Sequence, residues 1–231
     1  MAHVSTNRAL DASGAPAAVI PTTTRALLAG GVIAGPLFIL ASYAQVLTRE
    51  GFDLKRHAIS MLTLGDQGWI QSANFEITGL LVLACAVGIR RGLQSGRAAT
   101  WGPILFGGYG LGLLVAGIFR PDPGLGFPPG APLDMPTVMS SNAIVHTIGF
   151  FVSFISLIVA CFVFARRFSG LRSRGWAAYC AATGLAPLPF IALSLAMGGS
   201  GVPLFAMGVI TSAWVAVLPA RLMTAVGASE K

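Results

Sequence analysis

Six apolar runs, each long enough to cross a lipid bilayer, constrain this chain more than any other feature of its sequence. A tilted α-helix needs roughly 20 residues to span the hydrocarbon, and these runs are 17 to 23 residues long. They cover residues 27–47, 73–89, 101–119, 143–165, 176–197 and 203–220. The pattern predicts an all-α membrane protein, with a six-transmembrane-helix bundle over residues 27–220.

The composition agrees with membrane insertion. Of the 231 residues, 55% are hydrophobic and only 10% are charged, which is too few charged residues to cover a water-soluble globule. The formal net charge is +7, but the basic residues form short clusters between the apolar runs, so no nucleic-acid partner is expected. The lipid bilayer is the expected partner, and the sequence indicates no particular protein partner.

Lys and Arg are distributed unequally over the two sides of the six runs. Short loops rich in these residues stay cytoplasmic, so both termini are predicted to be cytoplasmic. The Arg-, Ala- and Gly-rich composition fits a bacterial protein, and the expected location is therefore a bacterial plasma membrane. The cytoplasmic side carries Arg8, Arg25, Arg90, Arg91, Arg97, Arg166, Arg167, Arg172, Arg174, Arg221 and Lys231, against Arg49, Lys55, Arg56 and Arg120 outside.

Two tails flank the predicted bundle. Residues 1–26 show no helical periodicity and are predicted to be a disordered cytoplasmic tail, and residues 221–231 form a second, short cytoplasmic tail. The first apolar run has an alternative interpretation. Arg25 precedes a stretch that ends in the small-residue pattern Ser42-Tyr43-Ala44, which also fits a cleaved signal peptide. The length of the run favours a spanning helix.

Two of the runs contain residues that predict how they pack. The third run carries Gly108 and Gly112, a spacing that lets two helix backbones approach closely, and it is expected to be a central packing helix. The fifth run contains Pro187 and Pro189, which remove backbone donors and predict a kink near the middle of the membrane.

The first outer loop has polar and apolar residues at helical spacing. If residues 52–64 are helical, the step of about 100° per residue puts Asp53, His57 and Ser60 within about 60° of one another. Apolar residues cover the other side: Leu54, Ala58, Ile59, Met61 and Leu62. The spacing predicts a short amphipathic helix on the outer surface, ended by Gly65.

Several polar residues are predicted near the outer helix ends. Glu76 lies one or two turns inside the second run, where a carboxylate needs a partner such as Arg56 or Arg120. Tertiary packing of the loops would bring these residues together as one candidate binding cluster. The cluster consists of Arg49, Asp53, Arg56, His57, Ser60, Glu76, Arg120, Asp122 and His146.

Three interpretations of the cluster stay open. In one, its charged residues only tie the loops over the bundle. In another, His57, Asp122 and His146 hold a zinc-like ion that activates water, because imidazole and carboxylate are zinc ligands. In the third, the arginines contact a lipid headgroup or a small anion. We expect binding or handling of a lipid or small molecule, with a metal-assisted membrane hydrolase or a structural protein without ligand as alternatives. No catalytic residue is identified.

The same region resembles a known family. The matching stretches are Gly35-Pro36-Leu37-Phe38, Arg49-x-Gly51-Phe52-Asp53, Arg56-His57-x-x-Ser60-x-Leu62, Gly65-x-x-Gly68-Trp69, Gln71, Asn74-Phe75, Asp122 and His146. Through these residues the chain resembles, over about residues 27–220, the bacterial and archaeal membrane proteins called domain of unknown function 998. The resemblance implies a six-helix membrane protein and no defined reaction. The chain departs from it in a long Pro- and Gly-rich second outer loop, residues 121–136, which is expected to be loosely ordered.

Overall fold

The computed structural model describes residues 20–227, and within that range the chain forms seven α-helices. These are α1 (Thr22–Thr48), α2 (Gly68–Gly92), α3 (Arg97–Ile118), α4 (Ser141–Gly170), α5 (Arg174–Leu185), α6 (Pro187–Ala196) and α7 (Gly201–Gly227). With α5 and α6 taken together, they make six helices that are long and apolar enough to cross a membrane. The prediction of an all-α protein with six apolar helices long enough to span a membrane is confirmed.

The bundle has two chemically different ends. The loop end carries the α1–α2 connection, residues 49–67, and the α3–α4 connection, residues 119–140. The arginine end is the opposite one, where Ile20 and Leu222 line the same small cavity, so the two ends of the described chain lie together. Which side of the membrane each end faces stays a prediction. Most of the predicted N-terminal tail, residues 1–19, and residues 228–231 of the predicted C-terminal tail lie outside the described residues.

Helix α3 packs between α2 and α4, as its glycines predicted. A Cβ added to Gly79 of α2 would lie 2.8 Å from the carbonyl oxygen of Gly110, and one added to Gly110 would lie 2.8 Å from that of Gly79. A Cβ on Gly112 would lie 2.5 Å from the carbonyl oxygen of Gly149 in α4. Glycine at these positions allows backbone-to-backbone contact, which is how helices associate closely in lipid.

The fifth span is broken at its two prolines. Pro187 and Pro189 have no N–H, so the carbonyl groups four residues earlier lose their helical partners. Helix α5 ends at Leu185 and packs against α4, whereas α6 begins at Pro187 and packs mainly against α7. The break therefore carries the second half of this span away from α4.

The amphipathic helix expected over residues 52–64 is not confirmed. Residues 54–56 form a turn, and only Ile59–Thr63 is helical, as a 3-10 helix. The Asp53 carboxylate accepts the backbone N–H two residues ahead at 2.9 Å, and the backbone N–H of Asp53 donates to the His57 ring at 2.9 Å. Side chains that bond the local backbone in this way compete with α-helical hydrogen bonds, and here they hold a turn.

Candidate functional site

His57 lies at the centre of the loop end, with 1% of its side chain exposed. Its Nδ1 accepts the backbone N–H of Asp53 at 2.9 Å, and its Nε2 donates to the carbonyl oxygen of Leu125 at 3.0 Å. A carbonyl oxygen only accepts, so Nε2 carries the hydrogen and the ring is neutral. Both ring nitrogens are used, and the ring fastens the first loop to the second.

A small apolar cluster surrounds this histidine. Phe127 of the second loop is completely buried and packs against Met61 and Leu64. Its ring centroid lies 5.2 Å from that of Phe52 and 5.4 Å from that of His57. The second loop, expected to be loosely ordered, instead supplies the residue on which the first loop packs.

Arg49 ties the end of α1 to the same cluster. Its guanidinium donates to the carbonyl oxygens of Leu62, at 3.0 Å, and Leu64, and it lies 5.6 Å from the centroid of the Phe127 ring. Burial lowers the pKa of Arg49 below its ordinary value, and the charge of Asp66 opposes that effect. The five donors of a guanidinium suit two carbonyl acceptors at once, so Arg49 acts as a structural tie between loop segments.

Asp122 has a similar local role at the start of α4. Its carboxylate accepts the backbone N–H of Ser140 at 2.8 Å, and the Ser140 hydroxyl accepts the N–H of Ala143 at 3.1 Å. Ser140 is the N-cap of α4, where an oxygen that accepts a free N–H stabilises the helix by about 1 kcal/mol. Asp122 therefore fixes the return of the second loop into the membrane.

Glu76 and its two predicted partners do not form an ion pair within residues 20–227. No N–O distance of 4.0 Å or less joins Glu76 to Arg56 or Arg120, whose side chains are exposed. Glu76 is half-buried against α3, where a Cβ on Gly117 would lie 3.0 Å from its Cγ. Arg56 and Arg120 lie at the surface of the loop end, and the three residues do not build a common site.

His146, in the second turn of α4, differs from His57 in its hydrogen bonds. Its side chain is 6% exposed, and Nδ1 lies 3.0 Å from the carbonyl oxygen of Ala116 and 2.9 Å from that of Phe119. Two carbonyl acceptors require the hydrogen to be on Nδ1. Within the described residues Nε2 makes no hydrogen bond, so this nitrogen is left for another molecule, and in the neutral ring with its hydrogen on Nδ1 it is an acceptor.

His146 lines a cavity of about 80 Å³ beneath the loops, which we call the subloop cavity. Five helices and the 3-10 segment of the first loop surround it. Most of its wall is apolar, and Phe38, Phe75, Phe150 and Phe154 supply the aromatic part. Its polar lining residues are Ser60, Tyr109, His146, Ser153, Thr211 and Ser212. Of the predicted cluster, Ser60 and His146 reach this cavity.

The contribution of α7 to the cavity was not predicted from the sequence. Thr211 and Ser212 lie inside the sixth apolar run, and polar residues at membrane depth commonly face the interior of a bundle. Thr211 donates to the carbonyl oxygen of Met207 at 3.0 Å, which leaves the oxygen lone pairs of this hydroxyl able to accept. In the sequence, the two small polar residues within an apolar run were the signal that this part of α7 faces the interior of the bundle.

The sequence reasoning also passed over a polar network at the loop-end half of α1 and α2. Asn74 donates to the Ser42 hydroxyl at 3.2 Å, and Gln45 donates to the Gln71 side-chain oxygen at 2.7 Å. All four side chains are buried. Hydrogen bonds between polar side chains hold membrane helices together, so this network joins α1 to α2.

The predicted zinc ligands have other partners. Within residues 20–227, no three or more His, Cys, Asp or Glu side chains are grouped so that they could hold a metal ion. His57 uses both ring nitrogens, and the Asp122 carboxylate accepts a backbone N–H. The zinc hypothesis stays a prediction that no contact of these residues favours.

Comparison with known proteins gives one match. A family model described as protein of unknown function (DUF998) matches residues 32–221, a range that reaches into all six spans. The chain belongs to this family. No curated protein and no solved structure matches it. Membership in DUF998 agrees with a six-helix membrane protein and assigns no reaction, so the case for a function depends on the cavity and its lining.

Proposed function

We propose that the protein binds a lipid-like molecule bearing a hydroxyl group in the subloop cavity. The observation that carries this proposal is the hydrogen bonding of His146, whose Nδ1 is held by two carbonyl oxygens while Nε2 has no partner within the described residues. A neutral Nε2 accepts a hydrogen bond. A hydroxyl group is the donor that an otherwise apolar, uncharged lining suits best.

The arrangement of the helices supports access from the bilayer. Both α4 and α7 line the cavity, but α7 packs mainly against α1 and α6, and α4 against α3 and α5. Neither α5 nor α6 lines the cavity, and α6 packs mainly against α7. An apolar chain can therefore enter between α4 and α7 without crossing water.

The size of the cavity limits what it encloses. A volume of about 80 Å³ is two to three times the roughly 30 Å³ that a water molecule occupies in the liquid. It holds the polar end of a lipid and the first few carbons, while the rest of the chain lies in the bilayer beside Phe150 and Phe154. A long-chain alcohol or a monoacylglycerol has this shape and this donor.

We test the proposal with one hydrogen-bonding variant and one matched pair of packing variants. In His146→Asn the side-chain amide nitrogen stands as many bonds from Cα as Nδ1 and preserves the donor to α3, but the acceptor Nε2 is lost, and the amide oxygen stands in the place of Cδ2, short of the position of Nε2. Gly208→Leu fills the cavity, since a Cβ there has only Ile39 within 4 Å, at 3.7 Å. Gly107→Leu is its control, because a Cβ at Gly107 has no atom within 4 Å and this residue does not line the cavity.

The assay is binding of monoolein and of an alkane of equal chain length to the purified protein in detergent. We expect saturable binding of monoolein by the natural protein and by Gly107→Leu. His146→Asn should lose about fivefold or more in affinity, because a hydrogen bond in a buried site is worth about 1 kcal/mol or more. Gly208→Leu should lose at least as much, because its side chain occupies the space of the ligand. Equal binding of monoolein and alkane, or unchanged affinity in both cavity variants, contradicts the proposal and favours a structural protein without ligand.

The same proposal takes the loop end as the outer face of a plasma membrane, because the arginine end carries most of the basic residues. Single cysteines at Gln67 and Ser95 test the orientation in intact cells. The native Cys85, Cys161 and Cys180 are fully buried and give little background. Gln67→Cys should react with an impermeant reagent and Ser95→Cys should not; the reverse result overturns the orientation.

A further inference from the structure

A second opening lies at the arginine end, outside the cavity described above. It is a groove of about 780 Å³ between the start of α3 and the last turns of α4, within the size range of about 300–1,000 Å³ typical of ligand sites. We call it the arginine groove. Its lining residues include three arginines, Arg97, Arg166 and Arg167, and an apolar wall that includes Trp101 and Phe162.

The positive charge of this groove has no counterpart in the described chain. The acidic residues of that part of the chain are Glu50, Asp53, Asp66, Glu76, Asp122 and Asp134, and all belong to the loop end. The Nε of Arg167 is buried and has no hydrogen-bond partner. This nitrogen is out of reach of an external molecule, so an anion would meet the charge of the groove mainly at Arg97 and Arg166, whose side chains are exposed.

The backbone adds to the positive electrostatic potential of the groove. Gly96, the N-cap of α3, lines the groove, and no side chain caps the helix there. The free N–H groups and the helix dipole make an uncapped N-terminus favourable for an anion. Arginine suits a phosphate in particular, because its planar fork donates two parallel hydrogen bonds to phosphate oxygens.

The apolar wall indicates an amphipathic occupant rather than a free ion. Val159 and Phe162 continue the groove along α4 away from the arginines, and both are more than two-fifths exposed to the surroundings of the bundle. Trp101 stands beside them, 51% exposed, and tryptophan is enriched at the depth of lipid headgroups. Guanidinium groups at headgroup depth above an apolar strip match the two halves of a phospholipid.

We infer that the arginine groove binds one anionic phospholipid, with its phosphate at Arg97, Arg166 and Arg167 and one acyl chain along the α4 wall. Basic pockets between membrane helices bind anionic headgroups in this manner. This inference is independent of the ligand proposed for the subloop cavity, and either can fail without the other. The proposed occupant of the groove is an anionic lipid of the bilayer. A zwitterionic lipid and free phosphate are alternative occupants that the experiment distinguishes.

Native mass spectrometry of the full chain, released from detergent with added lipid, measures this binding. Phosphatidylglycerol is the probe, with phosphatidylcholine and glycerol 3-phosphate as comparison ligands. The test variant carries Arg97→Gln, Arg166→Gln and Arg167→Gln. Its matched control carries Arg25→Gln, Arg90→Gln and Arg91→Gln, which remove the same charge from exposed sites at the same end without touching the groove.

The natural protein and the control should retain one phosphatidylglycerol at a concentration at which phosphatidylcholine and glycerol 3-phosphate leave no adduct. The groove variant should bind it about tenfold more weakly or worse, since each basic residue near an anionic lipid contributes about fivefold. If the groove variant does not fold, Arg166→Glu, at an exposed side chain, should give the same loss of adduct.

Three results would overturn the inference. Equal losses in the groove variant and the control would mean attraction to the whole basic surface. Equal retention of phosphatidylcholine would mean that the apolar wall alone holds lipid. Binding of glycerol 3-phosphate as strong as that of phosphatidylglycerol would mean that the site is made for a soluble phosphate.

Discussion

The two ends of this bundle satisfy their polar groups in different ways. At the loop end, Arg49, His57 and Asp122 each bond backbone groups of a neighbouring segment, so the protein supplies its own partners. At the arginine end, basic residues gather without an acidic residue in the described chain, and Arg167 and Arg221 each keep a buried Nε without a partner. The first end is stabilised from within, whereas the basic residues of the second have no acidic partner in the described chain.

The largest effect on stability should come from removing the side chain at the packing centre of the loop end. Phe127 is fully buried among Phe52, His57 and Met61, and Phe→Ala in such a site costs about 3–5 kcal/mol. We expect this loss for Phe127→Ala in the free energy of unfolding, measured by denaturant titration in detergent micelles. Val138→Ala in the same loop, at a side chain 81% exposed, should change stability by less than about 0.5 kcal/mol. Similar small effects of both changes would mean that the loops do not stabilise the bundle.

A smaller loss of stability is expected when either buried histidine is replaced, and the loss should differ between the two. His57→Ala leaves the N–H of Asp53 and the carbonyl of Leu125 without partners, at an expected cost of about 2–3 kcal/mol because each unsatisfied group costs about 1–3. His146→Asn keeps its donor to α3 and should cost less than about 1 kcal/mol. Melting curves compare the two variants. If His146→Asn is the more destabilised, His146 is a structural residue like His57 and the ligand proposal loses its main support.

The smallest effect should come from the charged surface of the loop end. Glu76 has no ion-pair partner within residues 20–227, and Arg56 is exposed, so the double-mutant cycle of Glu76→Gln and Arg56→Gln should give a coupling within about 0.5 kcal/mol. The cycle with Arg120→Gln should give the same result. A coupling above about 1 kcal/mol in either cycle would restore the salt bridge that the sequence suggested and show that loop-end charges also bond to one another.

Much of the candidate site could not be foreseen from sequence position. His57 and His146 looked equivalent, because both stand beside apolar segments near a predicted outer surface. Their difference lies in which backbone carbonyls face them: Leu125, 68 residues from His57, and Ala116 and Phe119 at the end of α3. The helix expected over residues 52–64 does not form, and the reason is local. The periodicity of apolar residues carries no information about the hydrogen bonds by which Asp53 and His57 hold a turn.

The sequence by itself determined the six apolar spans, the close packing at α3 and the break at Pro187. These are local properties, since run length, glycine spacing and a missing N–H act within one helix or at its surface. Only the tertiary structure decided that Phe127 joins the two loops, that His146 keeps a free nitrogen above a cavity, and that Arg97 meets Arg166 and Arg167 in one groove. Such contacts join residues distant in the chain, and their geometry depends on how whole helices pack, which no pattern within one segment encodes.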